Sequence, residues 1–209
     1  MARPRAQDYE TKRRAIREAA AALFAAHGFD GSSMSDLALR CATTKSGLYH
    51  YYASKEEILF DILDEHLGTV RRIVLEAAAE GQGRPPAERL ELILARLLAA
   101  YASAGHQHKV QLNELDRLPE AQRAAIVSME RDVVQVVADT LAEINPNLAR
   151  ERGLLKPVTM SLFGMLNWHY MWFREGGAMS REEYADLATQ LLLEGSASLE
   201  DAKPARRAS

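Results

Sequence analysis

A single cysteine, Cys41, in 209 residues excludes an internal disulfide framework and leaves a reducing compartment, the cytoplasm, as the default expectation. The first residues, Met1 to Arg5, carry charge but no apolar stretch of the kind a secretory signal requires. Residues 157–173 hold no Asp, Glu, Lys or Arg, yet they fall short of the roughly 20 apolar residues of a membrane span and include Pro157, Asn167 and His169. No membrane partner is expected. A glycine-rich phosphate loop, a Gly-x-Ser-x-Gly elbow and a paired metal-ligand motif are all missing, which argues against an enzyme and gives no reason to expect a metal or a cofactor. His106 and His108, near Glu114 and Asp116, come closest to a metal cluster, but residues two apart on a helix point about 200° from each other. They are expected to be surface histidines. Cys41 reads as a small apolar residue on a helix face. Strand-like alternation of useful length is absent as well, so the fold class is all-α.

What the chain does have is helical periodicity, with 47% hydrophobic residues, enough to build one or two compact domains. Ile16, Ala19, Ala20, Leu23 and Phe24 form the stripe of a helix from about Tyr9 to His27, stopped by Gly28. Ser54, Lys55, Glu56 and Glu57 make a capping box, and the stripe Leu59, Ile62, Leu63, His66, Leu67, Val70, Ile73, Val74 continues from it as one long helix. Gly81, Gly83, Pro85 and Pro86 break the pattern. Further helices are expected over 86–104, 106–118, from Pro119 to about Ile144, over 155–174 and over 182–193, the last with its own capping box at Ser180 and Glu183.

Two short segments carry the functional signal. Met34, Leu37, Ala38 and Cys41 give one apolar face behind Ser33 as N-cap; after Ala42 and Thr43, Leu48 and Tyr52 point inward while Lys45, Ser46, Tyr49 and His50 fall outside that stripe. The pair reads as a helix-turn-helix, whose second helix fits a major groove. Tyrosines at this spacing are equally compatible with a packed core. Charge distribution favours nucleic acid: residues 1–55 hold 9 Lys or Arg against 5 Asp or Glu, net +4, whereas the remainder holds 17 against 24, net −7. Arg3, Arg5, Lys12, Arg13 and Arg14 are placed as a basic arm with phosphate contacts, and Lys55 adds an ammonium beside Ser54. The DNA-binding set is completed by Ser35, Thr44, Lys45, Ser46, Gly47, Tyr49 and His50.

The segment from Ile16 to Leu59, with Leu23-Phe24, Gly28-Phe29, Lys45-Ser46-Gly47-Leu48-Tyr49-His50-Tyr51-Tyr52 and Ser54-Lys55-Glu56-Glu57, resembles the N-terminal domain of the tetracycline-repressor (TetR) family. Tyr52 stands where phenylalanine is usual, and Ala42-Thr43 replaces the common Gly-Val, which implies a less left-handed turn. The resemblance implies a homodimer on a palindromic double-stranded operator, a small-molecule effector, and a four-helix interface built from the last two helices. Leu162, Met165, Leu166, Leu187, Leu191 and Leu192 are the interface candidates. Tyr101, Gln111, Glu114, Phe163, Asn167, Trp168 and Trp172 supply the mixture of apolar walls and polar groups expected of an effector pocket. Stretches 111–115, 165–168 and 172–177 resemble family members that control lipid or sterol breakdown and sense acyl-CoA thioesters, so an acyl-CoA is the first effector to consider, with a drug-like or aromatic ligand as the alternative. A helical adaptor that binds only protein is the rival class. The expected division is a DNA-binding domain at 1–55, an effector-binding and dimerisation domain at 56–200, and a loose tail at 201–209.

Overall fold

A computed structural model describes residues 3–150, 153–174 and 176–197. Among them the chain is all-helical: α1 (Arg3–His27), α2 (Met34–Arg40), α3 (Lys45–Tyr49), α4 (Lys55–Glu80), α5 (Pro86–Ser103), α6 (Gly105–Glu114), a 3-10 turn (Leu115–Arg117), α7 (Glu120–Ile144), α8 (Asn147–Arg150), α9 (Leu155–Trp172) and α10 (Arg181–Ala197). The tail at 201–209 lies outside the described residues. Helix α1 begins six residues before the expected start at Tyr9, so Arg3 and Arg5 sit on its first turns.

Local chemistry explains the boundaries. Ser33 caps α2 by accepting the Asp36 amide at 3.2 Å while the Asp36 carboxylate accepts the Ser33 amide at 3.0 Å, a reciprocal capping box. Thr44 caps α3 by accepting the Gly47 amide at 3.0 Å. At α4 the Glu57 amide donates to Ser54 Oγ at 3.1 Å, and the Glu57 carboxylate reaches one residue further back, to the Ala53 amide at 2.6 Å. Pro86 occupies the first position of α5, where its missing amide hydrogen is of no consequence. Gly28 ends α1 at φ +75°, its amide donating to the Phe24 carbonyl.

Ala42 also has a positive φ, +49°. The turn between α2 and α3 is therefore left-handed despite its alanine, against expectation. Such a conformation costs an L residue about 1–2 kcal/mol, and glycine would recover it less the about 0.4–1 kcal/mol that its freer unfolded chain takes back. Ala42→Gly is expected to raise stability by about 0.5–1 kcal/mol, seen as a higher urea midpoint at unchanged m.

The chain divides into two compact units, residues 1–69 with 104–130, and residues 70–103 with 131–209. The first has a core of α1 to α3 residues such as Phe24, Leu37 and Leu48 closed by Ile58, Leu59, Ile62, Leu63 and Leu67 of α4 and by Val110 and Ile126. A boundary at 55 would strip that core of its α4 wall, which is why the unit extends to residue 69. The second unit gathers Leu90, Ile93, Leu94 and Leu97 of α5 with Val137, Leu141, Leu162, Leu166, Ala185 and Ala188; α10 packs against both α5 and α9. No described helix is long and apolar enough to cross a membrane.

Candidate nucleic-acid interface

Helix α3 is anchored by Leu48, fully buried, and by Tyr52, 1% exposed, just beyond its end. With that face inward, Thr44, Lys45, Ser46, Tyr49 and His50 are all exposed, Tyr49 at 47%. Ser35 is exposed on α2. Gly47 is half-buried, and a Cβ there would lie 2.6 Å from Thr43 Oγ1, so a side chain at this position has to displace the threonine. A short helix with one buried stripe thus presents ammonium, hydroxyl, phenol and imidazole groups on its opposite side, the donor set that reads base edges and phosphates.

The basic residues around it divide sharply. Lys12 is exposed and pairs with Asp8 at 3.4 Å. Arg13 turns inward: its Nε lies 3.5 Å from Asp61 Oδ2, and its guanidinium sits 5.0 Å from the Tyr52 ring centroid. The Tyr52 hydroxyl donates to the same Asp61 oxygen at 2.5 Å, and Arg17 approaches it at 3.5 Å. Burial, with the bond to Asp61, pushes the Tyr52 phenol well above its ordinary pKa. Lys55 also points inward, donating to the Phe29 carbonyl at 2.7 Å and the Ser32 carbonyl at 2.9 Å, with its ammonium 4.0 Å from the Phe29 ring centroid. Both Arg13 and Lys55 were expected at phosphates; in each case an acceptor too distant in sequence to be foreseen, half-buried Asp61 for Arg13 and the carbonyls of buried Phe29 and Ser32 for Lys55, takes the cation. The side chains of Arg3 and Arg5 lie outside the described residues.

A groove of about 730 Å³ between α1 and the α2–α3 turn has an apolar floor of Ala15, Ile16, Ala19 and Ala42, and a rim that includes Lys12, Arg40, Thr43, His50 and Tyr51. Tyr51 stacks on Tyr9, ring centroids 4.9 Å apart. Arg40, Thr43 and Tyr51 were not among the expected contact residues; Arg40 is exposed at the last position of α2. Cys41 lines the groove half-buried, and burial raises its thiol pKa.

Other expected residues are dispersed. Gln111 and Glu114 belong to the first unit, where Gln111 donates to Glu130 at 2.8 Å. Tyr101 and Phe163 are buried in the core of the second unit, and Asn167 is half-buried there with its Oδ1 unbonded. Trp168 and Trp172 are 63% and 50% exposed, so as placed they lie on the surface of the unit. Of the interface candidates, Leu162, Leu166 and Leu192 are buried in their own unit's core and Met165 is half-buried, whereas Leu187 and Leu191 are exposed. The α-helical period marked both sides of α9 as apolar but did not say which faces inward.

His108 corrects a further expectation. His106 is exposed, but His108 is 2% exposed and lies against His66, ring centroids 5.8 Å apart, inside the first unit. Burial pushes His66 down to about 4 and His108 to about 3, the neighbouring imidazole adding to the second shift and Gln111 opposing both. Each is neutral in the folded chain at neutral pH. Below about pH 6.5 the unfolded chain takes up protons that the folded chain refuses, so stability falls as pH drops from 6.5 towards the folded values, by up to about 1.4 kcal/mol per pH unit per imidazole. Replacing His108 by leucine should make the decline between pH 6.5 and 4 shallower, measured by urea unfolding at stepped pH; an unchanged slope would show that His108 does not titrate on unfolding.

The chain matches the family described as "Tetracyclin repressor-like, C-terminal domain" over residues 83–196, and "Bacterial regulatory proteins, tetR family" over residues 16–62. It belongs to the TetR family. Among solved structures, a TetR-family transcriptional regulator from Bordetella parapertussis 12822 is 36% identical with a TM-score of 0.82, the match spanning 91% of this chain and 98% of that one. AibR, solved in complex with isovaleryl coenzyme A and operator DNA, is 27% identical with a TM-score of 0.75 over 87% and 98% of the two chains. The HTH-type transcriptional repressor KstR2 of Mycobacterium tuberculosis is 23% identical over 198 residues, 88% of this chain and 92% of that one. A shorter match, 40% identical over 57 residues, links 27% of this chain to 21% of the A-factor receptor protein of Streptomyces griseus. As a TetR-family transcriptional regulator this protein binds DNA and is not an enzyme.

Proposed function

We propose that this TetR-family regulator is a repressor that binds a near-palindromic operator as a homodimer and leaves it when an amphiphilic effector, an acyl-CoA thioester, binds. What supports the dimer is the apolar surface left on α9 and α10: Met160, Trp168 and Met171 follow each other along α9 at helical spacing, each 48–63% exposed, and Leu187 and Leu191, four residues apart on α10, are exposed as well. Gly164, between Met160 and Trp168, has open space where a Cβ would stand, which permits close helix approach. A second copy supplies an identical face, as a twofold contact requires. Two recognition helices related by that axis read two related half-sites about 34–36 Å apart.

The effector class rests on AibR, whose solved complex holds isovaleryl coenzyme A together with operator DNA. To act, the ligand has to favour a conformation that binds DNA poorly, and a coupling of about 1–3 kcal/mol lowers operator affinity about 5- to 150-fold. The trial is fluorescence anisotropy of protein bound to a duplex it selects from a random-sequence pool, titrated with acyl-CoAs of varied chain and ring structure. Release at micromolar concentration is the expected result. Release by aromatic or cationic drugs alone would replace the thioester with a multidrug reading.

A further inference from the structure

The turn joining α1 to α2 is a closed unit gripped from two sides. Within it the Ser32 hydroxyl donates to the Gly28 carbonyl at 2.7 Å and the Ser32 amide to the Phe29 carbonyl at 3.2 Å. Phe29 and Ser32 are each 4% exposed. On one side Lys55, the first residue of α4, satisfies the Phe29 and Ser32 carbonyls with two of its three N–H groups and lies against the Phe29 ring. Three residues before it, the buried Tyr52 ties the end of the recognition segment to Asp61. On the other side Arg117 of the 3-10 turn pairs with Asp30 at 2.9 Å, and Glu114 at the end of α6 stands beside Gly28, its Oε1 at van der Waals distance, 3.4 Å, from where a Cβ would lie.

We propose that this turn is the element through which α6 and the 3-10 turn position the recognition helix, with Lys55 and Arg117 as positioning residues on its two sides. Lys55 then holds the reading head together and does not serve as a phosphate ligand. A short, internally bonded turn moves as one body, so a displacement of Arg117 reaches Lys55 and, through the start of α4, the segment that ends α3. The inference rests on DNA binding alone and stands independently of the acyl-CoA reading.

Affinity for a duplex selected by the wild-type protein from a random-sequence pool, measured as a function of salt, separates the two roles of Lys55. A phosphate ligand contributes about 0.9 to the slope of log K against log salt. Lys55→Met is expected to lower affinity tenfold or more with the slope unchanged, and to speed hydrogen exchange of the amides at 45–52. Arg117→Ala, at a half-exposed site that does not threaten folding, is expected to lower affinity two- to fivefold and to speed exchange at 45–52, with Arg117→Lys restoring both. In the Lys55→Met background Arg117→Ala should add nothing. A slope reduced by about 0.9 with unchanged exchange in Lys55→Met, or an exchange change in Arg117→Ala confined to residues 114–118, would overturn the proposal.

Discussion

Trp168→Arg and Leu191→Arg are each expected to turn a dimer into a folded monomer and to remove most of its operator affinity. Both side chains are more than half exposed on the α9–α10 face, so in a lone subunit the guanidinium stays in water and the helices keep their cores. In a dimer the same groups bring unpaired charge into an apolar contact, where an unpaired ion costs several kcal/mol. Loss of the second reading head then forfeits the effective concentration that links two half-sites, about 10²- to 10⁴-fold in affinity. Leu166→Arg provides the contrast. Leu166 is 1% exposed within the second unit, and a charge there acts on a domain whose whole stability is about 5–15 kcal/mol, so this variant should unfold. Light scattering and thermal melts together distinguish the two outcomes; intact dimers from both surface variants would place the subunit contact elsewhere.

Lys45→Ala and Tyr49→Phe should each weaken operator binding by about 1–3 kcal/mol, the range for a lost base or charged hydrogen bond, without lowering the melting temperature. The warrant is their position: both stand on the exposed side of a helix whose opposite side holds Leu48 at 0% exposure. Salt dependence separates their roles. If the Lys45 ammonium meets a phosphate, alanine reduces the salt slope by about 0.9; if it meets a guanine, the slope holds and the preference among operator variants changes. Leu48→Ala, in turn, should cost about 2–5 kcal/mol of stability and reduce binding only by unfolding the head. Unchanged operator affinity in both surface variants would remove α3 as the reading element.

Much of this is legible in the sequence. The Ser33, Ser54 and Ser180 caps fell where Ser stands three residues before an acid, because a cap is a local geometry settled by four residues. The buried stripe of α2 and the inward Leu48 and Tyr52 followed from helical period alone. The extra turns of α1 before Tyr9 did not follow, since Arg3 to Asp8 offer no apolar stripe to mark them as helix. Nor did the burial of His108, which depends on a neighbour 42 positions away on α4.

By itself the sequence determined the class of fold, the order of the longer helices with most of their limits, and the identity of the groups on the face of α3. All of these depend on contacts within one turn or one helix, whose energies are decided by residues three or four apart. Tertiary structure decided the partners. Arg13 and Lys55 read as phosphate ligands until Asp61 and the Phe29 and Ser32 carbonyls were brought beside them, and a cation's choice between solvent, phosphate and a buried acceptor is made by desolvation at that place. The same is true of apolar surface. Leu162 and Leu166 against Met160 and Trp168 are indistinguishable by composition; only the packing of α10 and the rest of that core against one side of α9 fixes which stripe is buried and which stays exposed.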